Sequence, residues 1–201
     1  MQIKKKVAIF ISGRGSNMRA LLEDMEDVSH PGQPALIVSN KDDAQGLTYA
    51  KKQKIKTFII GSDNSFTQRS VDDQLLATLK EHKIDLICLA GFMKILSKNF
   101  LDKYQNAIIN IHPSLLPLFK GLNTHRRALK SGMALHGATV HIVTPQLDSG
   151  KILGQIVVPI VKGDTEKELK KRVLKAEHQL YPVVLRRVLL GKISAPILLE
   201  L

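Results

Sequence analysis

The side chains in this 201-residue sequence best placed for chemistry on a carbonyl are an amide and an imidazole, two residues apart in Asn110-Ile111-His112-Pro113-Ser114-Leu115-Leu116-Pro117. If Ala107–Ile111 is a strand, alternation turns Asn110 and His112 to one face and Ile111 to the other. Pro113 then ends the strand and stiffens its exit. Both side chains donate hydrogen bonds, which suits charge developing on a carbonyl oxygen under attack. The plainer alternative is a buried polar pair that satisfies loop backbone. A carboxylate follows downstream in Gln146-Leu147-Asp148-Ser149-Gly150. Asp148 could hold His112 protonated, or pass a proton through water. An aspartate beside glycine also commonly bonds its own backbone.

A second constellation is Ser12-Gly13-Arg14-Gly15-Ser16-Asn17. Glycines after a strand let backbone approach a ligand, and the next helix offers unpaired N–H groups that suit a phosphate. The loop is neither GxGxxG nor a Walker loop, and a turn with Ser16 or Asn17 as an ordinary N-cap reads equally well. The other histidines do not assemble a metal site. His136 and His141 lack helical zinc spacing, and Cys88 has no partner cysteine. His141 is expected at the interior or sheet rim, and His30, His82 and His178 at the surface or helix ends. Ser114 reads as a turn residue, and no GxSxG elbow is present.

The elements that must carry these residues alternate through the first half. Apolar runs at Val7–Ser12, Ala35–Ser39, Thr57–Ile60, Asp85–Ala90 and Ala107–Ile111 are separated by helical patterns at Met18–Met25, Ala44–Gln53 and about Ser65–His82. A turn is expected at Gly61–Asn64, and Ser97 is placed to cap a short helix. Apolar runs between helices predict a parallel sheet covered on both faces. Thr139–Val143 and Gly154–Val161, joined by the short loop 144–151, should pair antiparallel. A long helix from Asp164-Thr165 should reach about Leu190, stop at Gly191 and be interrupted or kinked at Pro182. The expected fold is a single-domain, Rossmann-like, three-layer α/β architecture, mostly parallel with antiparallel C-terminal strands. Such sheets bind ligands beyond the carboxyl ends of their strands, which selects the loops after Ser12, Ala90 and Ile111.

Composition narrows the class. A hydrophobic fraction of 44% describes a globular chain, and the run Val7–Ile11 is too short to span a bilayer. Neither export nor membrane association is expected, and the lone Cys88 in an apolar run suits a reducing, cytoplasmic compartment. The net charge of +12 invites a polyanion, yet the clusters at 51–56 and 167–175 recur at helical spacing and read as solvated faces. With no tryptophan, a base-stacking surface is poorly supported, and a nucleic-acid or phosphate-binding module would leave Asn110, His112 and Asp148 without a purpose.

Taken together, Ile11–Asn17, Val38-Ser39-Asn40-Lys41, Ala90–Leu96, Asn110–Pro117, His136–His141, Leu147–Gly150 and Glu177-His178 resemble, in order, the folate-dependent formyltransferases. The resemblance implies transfer of formyl from 10-formyltetrahydrofolate to the amine of N1-(5-phospho-D-ribosyl)glycinamide, in de novo purine (IMP) synthesis, without a metal. It implies Asn110, His112 and Asp148 as the catalytic set. Gly15, Ser16, Asn17, Met18 and Arg19 match the substrate-phosphate loop, with Pro113 and Glu177 as further substrate contacts. Arg69, Met93, Lys94, Ile95, Leu96 and Asn110 match the folate side, the loop 144–148 closing over the pterin. The phosphate-substrate half then covers about 1–105 and the catalytic and folate half about 106–201, in a monomer or homodimer. Departures from the family pattern are Pro145, Asn123 and Lys94. A methionyl-tRNA formyltransferase is expected to carry a further tRNA-binding domain, and a formyltetrahydrofolate deformylase an N-terminal regulatory one.

Overall fold

Five consecutive residues with no water contact, Val7–Ile11, begin the core. They lie in β1 (Lys5–Ile11), and burial on both faces of the pleat requires layers above and below, as a continuous apolar run predicts. The structure, a computed structural model, describes residues 3–61 and 67–200. The expected turn at Gly61–Asn64 and the helix start at Ser65 fall largely outside these residues.

After β1 come α1 (Ser16–Met25), β2 (Gly32–Ser39), α2 (Gln45–Lys52), β3 (Thr57–Ile59), α3 (Gln68–Glu81), β4 (Leu86–Leu89), α4 (Lys98–Lys103) and β5 (Ala107–His112). Then follow α5 (Thr124–Lys130), β6 (Leu135–Ile142), β7 (Ile152–Pro159), α6 (Glu166–Leu189) and β8 (Ile197–Glu200). The strand order is β3-β2-β1-β4-β5-β6-β7-β8. The chain forms two compact units, Met1–Ile109 and Asn110–Leu201, with the division inside β5.

In the first unit β1 pairs parallel with both β2 and β4, and β2 with β3. Thr67 caps α3 by accepting the Ser70 N–H, and Ser97 caps α4 by accepting the Phe100 N–H, as its position predicts. His30 corrects a sequence expectation: it is buried rather than superficial, 3.3 Å from the Asp24 carboxylate, where the chain turns from α1 into β2.

In the second unit β6 and β7 pair antiparallel, while β8 adds parallel to β7. The sequence did not predict α5 or β8. The first is two turns of mostly basic residues, and the second is a four-residue run just after Pro196. Helix α6 packs on β6 and β7. Its start is a capping box in which Thr165 accepts the Glu168 N–H and the Glu168 carboxylate accepts the Thr165 N–H. The expected interruption at Pro182 does not occur, since the helix runs 24 residues through it. His178 consequently sits half-buried in mid-helix, not at an end.

This unit also buries a pair of imidazoles. The rings of His125 and His136 meet edge to face at 5.4 Å, and the Nε2 atom of each has no hydrogen-bond partner. Burial presses both pKa values to about 4, helped for His125 by Lys170 and His112 and for His136 by His125 and His112.

Thr165→Ala should cost about 1 kcal/mol of unfolding free energy, read from urea melts. The buried imidazoles give a pH dependence with a definite sign. Their folded pKa values lie below the unfolded value, so the unfolded chain binds more protons and stability falls as pH drops from about 6.5 to about 4. At about 1.36 kcal/mol per pKa unit this approaches roughly 3 kcal/mol per histidine at the acid end. Replacing both with phenylalanine should flatten that slope. An unchanged slope would show that other groups set it.

Candidate active site

Along β5 the burial pattern keeps Ile108, Ile109 and Ile111 inside and leaves Asn110 partly open. The neighbouring side chain that fixes Asn110 is His141, at the end of β6. Pairing of β6 with β7 slips register between Val140 and His141, an irregularity that re-aims a side chain relative to simple alternation. His141 Nδ1 lies 2.8 Å from the Ile142 carbonyl, which can only accept, so Nδ1 carries the proton. Nε2 is then the acceptor, and the group facing it at 3.2 Å must be the Asn110 amide nitrogen. One N–H of Asn110 is spent on this contact, and the second remains for a ligand.

His112 is buried and uses both ring nitrogens. Nε2 donates to the Phe119 carbonyl at 3.1 Å, and Nδ1 lies 3.4 Å from Asp148 Oδ2. In the neutral ring this puts the Nδ1 lone pair toward a carboxylate, leaving a gap that a proton would fill. Burial pushes the His112 pKa below the ordinary imidazole range, although the Phe119 carbonyl and Asp148 pull it up; His141 and Arg127 lower it further. The free protein therefore holds His112 neutral at pH 7, in contrast to the imidazolium that pairing with Asp148 alone suggests.

Asp148 is brought in by an unusual backbone. Its φ of 47° is left-handed, a conformation that aspartate tolerates better than most residues. Gly150 follows at a point where any Cβ would lie 1.8 Å from the Ile142 carbonyl oxygen, so the loop returns to β6 only with glycine there. The side chain does not bond its own turn. Oδ2 accepts the Gly121 N–H at 2.8 Å, and Oδ1 lies 3.6 Å from His141 Nε2. Burial alone would raise its pKa, but the Gly121 N–H and the neighbouring His141 and His112 rings hold the carboxyl below its ordinary range. It stays ionised.

The loop supplying Phe119 and Gly121 is itself pinned. Thr139 Oγ1 donates to the Ser114 carbonyl at 2.7 Å and accepts the Leu116 N–H at 3.0 Å, while Gln155 Nε2 donates to the Leu116 carbonyl. Ser114 is fully buried and donates to the Leu118 carbonyl, as expected of a turn residue. Arg127 lies over the Phe119 ring at 5.4 Å and donates to the Lys120 carbonyl. Asn110, His112 and Asp148 thus converge in the second unit, joined by His141, which carried no assigned role in the sequence. It ends the segment His136–His141 that carries the resemblance, and is buried as expected, but its aim depends on the irregular pairing with β7. Pro113 follows directly on His112, and Glu177 is buried on α6. Among the described residues, no group of three or more His, Cys, Asp or Glu side chains is arranged to hold a metal ion, and no helix is long and apolar enough to cross a membrane.

The glycine-rich loop lies in the first unit. Gly15 is the N-cap of α1 at φ 70°, and no side chain caps the helix, so neither Ser16 nor Asn17 plays the ordinary capping role. No side chain caps the first turn, a condition that suits an anion at this helix start. Met18 is fully buried, its side chain packed beside Gly15. Arg19 is exposed and stacks over the Tyr49 ring at 4.8 Å. Arg69 lies in the first turn of α3. Beyond β4, Met93 and Ile95 are 70% and 78% exposed, with Lys94 and Leu96 half-buried between and beside them.

Residues 5–185 match the family model described as formyl transferase. Phosphoribosylglycinamide formyltransferase of Haemophilus influenzae is 40% identical over 182 residues, covering 90% of this chain and 86% of that protein. The crystal structure of phosphoribosylglycinamide formyltransferase from Brucella melitensis superposes with a TM-score of 0.89 at 46% identity, covering 93% of this chain and 96% of that one. The trifunctional purine biosynthetic protein adenosine-3 of Homo sapiens is 40% identical over 191 residues, and the chain spans only 19% of its length. A family match over most of the chain, at this identity and with this site, has one meaning: the chain belongs to the formyl transferase family.

Proposed function

We propose that the chain transfers the formyl group of 10-formyltetrahydrofolate to the amine of N1-(5-phospho-D-ribosyl)glycinamide, yielding the formylglycinamide ribonucleotide and tetrahydrofolate in purine synthesis. The observation that carries the proposal is the convergence of Asn110, His112 and an ionised Asp148 in a chain of this family. The uncapped α1 start at Gly15–Arg19 supports a phosphate-bearing substrate, held by main-chain N–H groups and Arg19. Pro113 and Glu177 are assigned to the same substrate. The apolar exposure of Met93 and Ile95, with Arg69 as a counter-charge, supports an aromatic, carboxylate-tailed co-substrate such as folate. A cytoplasmic setting fits the buried thiol of Cys88.

In the reaction the substrate amine attacks the formyl carbon, and the carbonyl oxygen gains the charge. Asn110 meets that oxygen with its remaining N–H, held in orientation by His141. His112 can add a second donor once Nε2 exchanges the Phe119 carbonyl for the substrate oxygen. Nitrogen must lose a proton as its bond to carbon forms, and the leaving folate nitrogen must gain one. The gap between His112 Nδ1 and Asp148 Oδ2 receives a proton carried through water, and returns it as the carbon–folate bond breaks. Asp148 stabilises the transient imidazolium in a buried site by its fixed charge.

Mixing the purified chain with glycinamide ribonucleotide and 10-formyltetrahydrofolate should release tetrahydrofolate, whereas methionyl-tRNA or water as acceptor should not. Asn110→Ala and His112→Ala should each lower kcat by roughly a hundred- to thousand-fold, with the KM for glycinamide ribonucleotide little changed. Because burial lowers the His112 pKa and the neutral ring is the working form, activity should persist with falling pH into the range below an ordinary imidazole's. Asp148→Asn should reduce turnover severely from pH 6 to 9; wild-type rates in that variant would remove the carboxylate from the mechanism.

A further inference from the structure

Apart from the candidate catalytic group, the first unit buries a carboxylate with no role so far. Asp72 lies on α3 and is 4% exposed. Its Oδ1 accepts from Gln68 Nε2 at 2.8 Å, one turn back on the same helix. Its Oδ2 accepts from two groups beyond β4: Ser97 Oγ at 2.5 Å and Asn99 Nδ2 at 3.0 Å. Burying a carboxylate is costly unless donors compensate it. Here burial raises the pKa, but the hydrogen bonds from Asn99, Ser97 and Gln68, with the charge of Lys94, more than offset it and keep the group ionised.

A helix of 14 residues with its own Thr67 cap needs no such charge to form. What the charge does is grip Ser97, which at the same time accepts the Phe100 N–H as the N-cap of α4. Ser97 directly follows the segment Met93–Leu96. The other end of that segment is also tied: the Met93 N–H donates at 2.7 Å to Ser12 Oγ, which donates in turn to Asn40 Oδ1 at 2.5 Å. A four-residue span is therefore fixed at both ends, and between its ties it presents Met93 and Ile95 outward. Exposed apolar side chains on a restrained main chain are pre-organised for a flat, partly apolar ligand, since little ordering entropy remains to be lost on binding.

We propose that Asp72 is a positioning residue for folate: through Ser97 and Asn99 it sets the main chain of Met93–Leu96 against which the co-substrate docks. The inference rests on the formyl-transfer function proposed for the chain. It separates Asp72 from its neighbour Asp73, whose carboxylate pairs with Lys103 at the exposed surface between α3 and α4 and has no tie to Ser97.

Asp72→Asn keeps the shape but removes the charge that strengthens the contacts to Ser97 and Asn99, and leaves one accepting oxygen where there were two. With the full-length chain, this variant should raise the KM for 10-formyltetrahydrofolate and the Kd for tetrahydrofolate, measured by calorimetry, about tenfold. The KM for glycinamide ribonucleotide and the kcat at saturating folate should stay within about twofold of wild type. Ser97→Ala should behave alike, and Ser97→Thr, which restores a hydroxyl, should recover much of the loss. Asn99→Ala, at an exposed position, tests the same tie if Asp72→Asn does not fold, and should weaken folate about threefold. Unchanged folate binding in these variants overturns the role of Asp72 while leaving formyl transfer intact. A parallel fall in kcat and in both affinities also overturns it, because that pattern marks general loss of structure. A wild-type chain that binds no tetrahydrofolate ends the folate assignment itself, and this inference with it.

Discussion

The second unit is organised around one buried negative charge. The Asp148 carboxylate accepts a backbone N–H from Gly121 and lies between the imidazoles of His112 and His141, which in turn orient the Phe119 carbonyl and the Asn110 amide. Without the carboxylate, the Gly121 N–H would lose its acceptor, and His141 would be oriented by Ile142 and Asn110 alone. The backbone reflects the same demand. A non-glycine residue at φ 47°, followed by a glycine pressed against the Ile142 carbonyl, is a loop shaped to deliver one side chain.

Burial has opposite consequences for the members of this group. Desolvation disfavours the charged form of each, yet the carboxylate collects enough donors to remain ionised, while His112 collects too few compensations and stays neutral. Both groups end below their ordinary ranges, the carboxyl ionised and the imidazole neutral. His125 and His136 show the same desolvation without a carboxylate to answer it, and they remain neutral packing residues beside Phe119.

Much of this was legible in the amino-acid order, for reasons that differ by element. The strands of the first unit announce themselves because residues buried on both faces must be apolar throughout, as in Val7–Ile11 and Leu86–Leu89. Asn110 and His112 were legible as a pair because alternation is a local rule. His141 was not, since the register slip that turns it arises from β7, and neither strand encodes the slip alone. The burial of His30 depends on where Asp24 comes to rest, and α5 and β8 are too short for their periodicity to stand out. Pro182 does not end the helix for a related reason: its neighbours Leu180, Tyr181, Val184 and Leu185 are buried, and their packing holds the segment helical across the proline.

The neutrality of His112 in the free protein bears on how the site avoids wasteful chemistry. An imidazolium poised in advance would already be satisfied by Asp148, and that ion pair would have to be weakened before its proton could be used. A neutral ring beside a fixed carboxylate is instead under-satisfied, and the deficit is repaired only when a proton arrives. In the proposed reaction that proton comes from the attacking amine, so stabilisation appears as bond formation proceeds and not before. Water is a weaker nucleophile and carries no phosphate, so in the proposed reaction it is neither as reactive nor held as long as the amine. In the proposed reaction, the energy withheld from His112 by desolvation is returned only as the bound acceptor delivers its proton.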